Sequence, residues 1–200
     1  MNADPSGLNS QKGAGLARSG STASPSIRPA TVADLSTLVA LNTHVQALHA
    51  EALPRQFRAN PPAMEVAATF GEKFAEPNAL WLLAERGGTA CGYLYARFRE
   101  HEESWSRPAR RVCTIAHLAV HPYHRRQGVA RALVEAAVTE AGHHGFTRIE
   151  LDVWSFNTAA REAFVRLGFA PFNERMERTA PATHQPTVPA EVPPRPGGRP

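Results

Sequence analysis

Nowhere in the 200 residues does an apolar run approach the roughly 18 that a membrane span needs, which excludes a membrane-embedded protein. Cysteine is almost missing. Cys91 and Cys113 are the only two, and each sits in an apolar, strand-like run. They read as buried, reduced thiols, so a cytoplasmic setting is expected. The N-terminus has no apolar stretch behind a charged start, and no secretory signal is expected. Lysine is scarce too, so the net charge of +4 rests on arginine, with 18 acidic residues interspersed. So small and scattered an excess suits an anionic ligand but does not make a nucleic-acid surface. No histidine or cysteine spacing reads as a metal site.

Both ends look unable to bury a core. Residues 1–25 are rich in Ser, Gly, Ala and Asn, and residues 179–200 end in the Pro-rich "TVPAEVPPRPGGRP". Each is expected to be a disordered tail, because too little apolar surface offsets the entropy of ordering the chain. That leaves residues 26–178 as one domain.

Inside those bounds strand and helix patterns alternate. A short strand at Ser26–Arg28 precedes a helix with Leu35, Leu38, Val39, Leu41 and Val45 on its apolar face. A weaker helix covers residues 63–74. Two strands flank Gly87-Gly88, a hairpin signal. "RRVCTIAHLAV" is apolar on both parities up to His117, as expected of a central strand covered on both faces. Val129, Leu133, Ala137 and Ala141 recur every fourth residue along a helix that stops near Gly142 and Gly145. "FTRIELDVW" alternates as a strand. "NTAAREAFVRLGF" has Asn157 as N-cap, Gly168 as a left-handed C-cap, and Phe169 placed for the accompanying apolar contact. "FNERMER" is the candidate for a last strand. The order implies a mixed α/β (α+β) domain with β-α-β in its second half.

The informative stretch is "HLAVHPYHRRQGVARAL", residues 117–133, where a strand hands over to a helix. The first N–H groups of a helix lack intrahelical acceptors, and with the helix dipole they form an anion site. Gly128 lets the backbone approach a bulky anion, Ala130 keeps the next turn low, and Arg125 and Arg126 add charge. The segment is neither a Walker loop nor the three-glycine dinucleotide fingerprint.

Taken together, "IAHLAVHPYHRRQGVARALVEAA" and "IELDVWSFNTAAREAFVRLGF" resemble the GNAT superfamily of N-acetyltransferases. The family signature Arg/Gln-x-x-Gly-x-Gly/Ala reads here as Arg125-Arg126-Gln127-Gly128-Val129-Ala130. The resemblance is strongest over residues 112–170. It implies a single domain with a mixed central sheet of about six to seven strands, helices on both faces, and two parallel central strands that splay apart.

The same resemblance implies an acetyltransferase that moves an acetyl group from acetyl-CoA to a primary amine of a small molecule or peptide, by direct attack in a ternary complex. Leu118 and Val120 would bond the pantetheine arm through their backbones. An N–H near Leu118 or Ala119 would polarise the thioester carbonyl. The backbone from Arg126 through Gln127, Gly128, Val129 and Ala130 to Arg131 would hold the diphosphate, with Arg125 beside it, and Asn157 would reach the cofactor arm. His117 is the candidate base, since a free imidazole titrates near 6.5, whereas a lysine-like amine has a pKa of about 10.4. Glu150 and Asp152 are second choices. Phe164 stands where many members carry a proton-donating tyrosine, so the general acid is open among Ser155, Tyr123 and water. Glu51, Glu100, Glu102 and Glu103 are candidates for attracting a polyamine, an aminoglycoside or a peptide N-terminus. No metal, membrane or nucleic-acid partner is expected; a homodimer is compatible with the pattern. The rival readings are a CoA-holding regulatory module without chemistry and an Arg-rich nucleic-acid binder.

Overall fold

The computed structural model describes residues 24–179. The two expected tails therefore lie almost wholly outside the described residues. Five strands form one sheet in the order β1-β2-β3-β4-β5: Ser26–Pro29, Ala79–Arg86, Thr89–His101, Arg110–Val120 and Arg148–Leu151. The first four run antiparallel to their neighbours, and β5 lies parallel to β4. Four helices accompany them: α1 Leu35–Ala52, α2 Ala63–Phe74, α3 Val129–His143 and α4 Thr158–Arg166.

The sheet separates two apolar cores. On one face α1 and α2 bring Leu38, Val39, Leu41 and Phe70 onto Trp81, Leu83, Tyr93 and Tyr95. On the other, α3 lays Val129, Leu133, Ala137 and Ala141 on Leu82, Leu94, Cys113 and Ile115. The four-residue repeat of α3 is thus its buried stripe, as its spacing predicts. Gly87 and Gly88, at φ 58° and 77°, make the tight turn of the β2–β3 hairpin.

Two expectations change. Among the described residues the sheet has five strands rather than six to seven, because residues 170–179 form no strand. β5 is also shorter than its alternating sequence suggests, ending at Leu151. The cause lies in β4. Tyr95 pairs with His117 while Ala96 pairs with Ile115, so Ala116 is an extra residue, a β-bulge. β4 pairs with β5 only from Val112 to Ile115. Beyond the bulge, β4 runs on to Val120 with no neighbour on the β5 side among the described residues.

The bulge also exchanges faces. Before it, Cys113 and Ile115 pack in the α3 core; after it, Leu118 and Val120 do so, and Ala119 joins the α1–α2 core. A side chain at 117 therefore faces α1 and α2 rather than α3.

Candidate active site

The splay leaves backbone groups free. His121 N–H donates to the Cys91 carbonyl at 2.9 Å. Because peptide groups alternate along an antiparallel strand, His117 and Ala119 likewise turn theirs to β3, and Leu118 and Val120 turn theirs to the open side. Of the two N–H groups that sequence reasoning left open for polarising a carbonyl, only that of Leu118 faces the gap. The Val120 carbonyl is already bonded, accepting from Arg125 Nε at 3.3 Å.

At the end of β4 a short 3-10 turn, Pro122–His124, leads into the loop. Arg126 sits at φ 59° and Gly128 at φ 82°, and Gly128 is the N-cap residue of α3. Among the described residues, the N–H groups from Arg126 to Arg131 have no acceptor in the chain. Open space surrounds Gly128 where a Cβ would project. Consecutive free amides at a helix N-terminus, with room above them, fit a diphosphate.

The side chains of this loop do other work. Gln127 Nε2 donates to the Tyr123 carbonyl at 2.8 Å, and Arg86 on β2 donates to both Gln127 Oε1 and the Gln127 carbonyl. Arg131 leans toward Glu135 at 3.8 Å. Val129 is buried in the α3 core and anchors the helix start. Arg86 is a loop-bracing residue that sequence reasoning missed, 41 positions away with no motif to mark it. Gly92 is another. A Cβ there would lie 2.8 Å from the Ala119 carbonyl oxygen and 3.0 Å from Val129 Cγ1, so only glycine lets α3 close on β4.

His117 stands among aromatic rings, with centroids 5.5 Å from Tyr95, 5.6 Å from Phe70 and 6.5 Å from Tyr93. Burial, helped by the charges of Lys73 and Arg97, lowers its pKa to about 4. Tyr93 Oη donates to Asn42 Oδ1 at 2.9 Å and lies 3.5 Å from His117 Nδ1. With its own proton committed to Asn42, the Tyr93 oxygen can only accept from His117. That favours the tautomer with hydrogen on Nδ1 and leaves the Nε2 lone pair free.

Asn157 caps α4, its Oδ1 accepting from Ala160 N–H at 3.2 Å. The far end of α4 closes as its sequence implies: Phe169 N–H donates to the Phe164 carbonyl, Gly168 N–H to that of Val165, and the Phe164 and Phe169 rings meet 5.8 Å apart. Phe164 thus has a packing role. Near the splay His49, Phe57, Trp154 and Phe156 gather, joining the end of α1 to the loop after β5.

Other candidates lie elsewhere. Glu100 bonds Arg111 at 2.9 Å where β3 meets the start of β4, and Glu102 and Glu103 follow it, at the opposite end of the sheet from Gly128. Glu150 is held by Arg148, and Asp152 is exposed past the end of β5. Cys91 and Cys113 are free thiols in the α3 core, and burial raises that of Cys113 to about 11. No described helix is long and apolar enough to cross a membrane, and no cluster of three metal-ligating side chains occurs among the described residues.

A splayed parallel pair, a free-amide loop and a helix start define the acyltransferase architecture. The chain belongs to the GNAT acetyltransferase family, whose model matches residues 44–169. Among solved structures it is similar to the tetramutant of the BH1408 protein from Bacillus halodurans, at 25% identity and a TM-score of 0.73, covering 77% of this chain and 99% of that one. An aminoglycoside 6'-N-acetyltransferase from Acinetobacter haemolyticus shares the fold at 23% identity and a TM-score of 0.61, over 79% of this chain and 99% of its own. A predicted acetyltransferase with acetyl-CoA from Clostridium acetobutylicum does so at 19% identity and a TM-score of 0.59, over 78% and 96%. No curated protein sequence matches the chain.

Proposed function

We propose that this protein transfers an acetyl group from acetyl-CoA to a primary amine. The observation that carries the reading is the run of unpaired amides from Arg126 to Arg131, set beside the Leu118 and Val120 peptide groups that face the gap left by β5. Acetyl-CoA, when bound, supplies the acyl donor as a thioester. The loop amides hold its diphosphate, with the Arg125 and Arg126 charges alongside. Leu118 and the Val120 N–H extend the β4 ladder to the pantetheine arm, and Leu118 N–H stabilises the oxyanion that forms on acyl transfer. Asn157 keeps the start of α4 in place beside the arm.

His117 is unprotonated at neutral pH. Through Nε2 it accepts from the amine as the new bond forms and the nitrogen becomes acidic. Phe164 has no proton to give, and none is needed for a thiolate whose free pKa is about 8.5. A cytoplasmic setting fits two buried free thiols.

Calorimetric titration with CoA and acetyl-CoA tests the donor half, and thiol release with a panel of amines tests the transfer. CoA binding without thiol release from any amine would reduce the protein to a CoA-holding module. No heat with either compound, on folded protein, ends the proposal.

A further inference from the structure

We infer that the amine acceptor carries a carboxylate of its own, held by Arg97 on the sheet face just beyond His117. The inference rests on the proposed function and names the substrate class of that same site.

The placement follows from strand register. Tyr95 pairs with His117, and both face α1 and α2. Two residues further along β3, about 7 Å on, Arg97 shares that face. It pairs with Thr114, which in turn pairs with Glu150. Between these two rows the bulge residue Ala116 is exposed, the one exposed position of β4 after Arg111, so the sheet is open to solvent beside His117. A cleft of about 410 Å³ runs along β3 from Arg97, lined also by Glu76, Asn78, Arg99 and Glu100, the last already bonded to Arg111.

The charges on this face are unequal. Lys73 comes from α2, and Arg97 and Arg99 from β3. Opposing them, Glu76 accepts from Tyr95 Oη at 3.0 Å, and Glu150 is engaged by Arg148. Asp152 stands exposed past the end of β5. Among the described residues neither Arg97 nor Arg99 forms an ion pair, and Arg97 Nε is buried with no hydrogen-bond partner. A guanidinium in that condition lacks the bidentate acceptor its geometry fits. The charged groups that bear on His117 are likewise basic: Lys73, Arg97 and, more weakly, His49. An amine carrying several positive charges would meet Lys73, Arg97 and Arg99 together and be repelled. A carboxylate on the same small molecule as the amine would complete Arg97 while its nitrogen lies at His117.

The test compares matched acceptors with the full chain and acetyl-CoA: 4-(aminomethyl)benzoate against its methyl ester, glycyl-alanine against glycyl-alaninamide, and spermidine as a polycation. The expected result is a kcat/KM roughly tenfold higher for the acidic member of each pair, mostly through KM, with spermidine poorest. In Arg97→Gln that ratio falls to near one, and Arg97→Lys recovers part of it. Turnover with equal or reversed ranking overturns the inference while leaving acetyl transfer standing. Absence of turnover with every amine overturns both readings, and CoA calorimetry then tells a CoA-holding module from a protein that does not bind CoA.

Discussion

Gly92→Ala tests the link between packing and the donor site, although residue 92 lies outside the loop. The added methyl would sit 2.8 Å from the Ala119 carbonyl oxygen, 3.0 Å from Val129 Cγ1 and 3.4 Å from Leu133 Cδ1. The first is backbone of a central strand, and the other two belong to the first turns of α3, so nothing flexible can swing aside. Overpacking of this kind destabilises by about 1–3 kcal/mol, a loss of a few to about 10 °C in Tm for a domain of this size. Relief requires β4 to shift at Ala119 as well as α3 to lift, which displaces the amides after Gln127 relative to the Leu118 and Val120 peptide groups. CoA affinity should therefore fall roughly tenfold, the equivalent of one or two misplaced hydrogen bonds. Gly142→Ala is the control: nothing lies within 4 Å of its Cβ, and alanine in a helix should add about 0.5–1 kcal/mol. Urea unfolding and CoA calorimetry on both variants give the answer. A Gly92→Ala protein as stable as its parent, with the same CoA affinity, refutes the reasoning.

Four further outcomes are expected. Gly128→Ala meets no steric obstacle but holds alanine at φ 82°, costing about 1–2 kcal/mol and a few degrees of Tm, and its methyl enters the space over the free amides; CoA binding weakened in protein still folded at the assay temperature is the calorimetric signature. Arg86→Met removes the brace on Gln127 and should weaken CoA binding more than it lowers the urea midpoint, whereas equal losses in both would make Arg86 merely structural. His117 binds its proton more weakly folded than unfolded, so stability falls as pH drops from 6.5 to about 4, by up to ~3 kcal/mol, and levels off below. His117→Gln should flatten that slope, with His44 and His49, which burial shifts the same way, supplying what remains. Asp34 behaves oppositely: Arg28, bonding it at 2.8 and 2.9 Å, holds its carboxyl below the usual range. Its contribution is present above pH ~4 and lost on further acidification, and Asp34→Asn should show a shallower acid transition in circular dichroism.

What the sequence made legible was local. The α3 stripe, the hairpin glycines, the bounds of α2 and the whole cap of α4 follow from spacing and from residues with few conformational alternatives, and the structure has them as expected. The bulge was hidden because apolar residues on both parities before His117 fit a regular central strand equally well. Its consequence, the early end of β5, was hidden with it: Asp152 and Val153 continue the alternation, but β4 has already turned away. Arg86, Gly92 and the Asn42–Tyr93–His117 contact depend on strand register between distant segments, which no local pattern records. The same distance kept hidden where Glu100, Glu102 and Glu103 lie, which the β3–β4 register carries to the end of the sheet away from Gly128.

One inserted residue in β4 divides its labour. Below Ala116, odd positions must satisfy the α3 core; above it, that duty passes to even positions, and position 117 is released from it. The side chain at 117 therefore answers to α1 and α2 alone, and what it does there is uncoupled from the helix whose start carries the free amides. On the proposed function, such a scaffold can change which amines it serves while keeping a single way of holding its thioester.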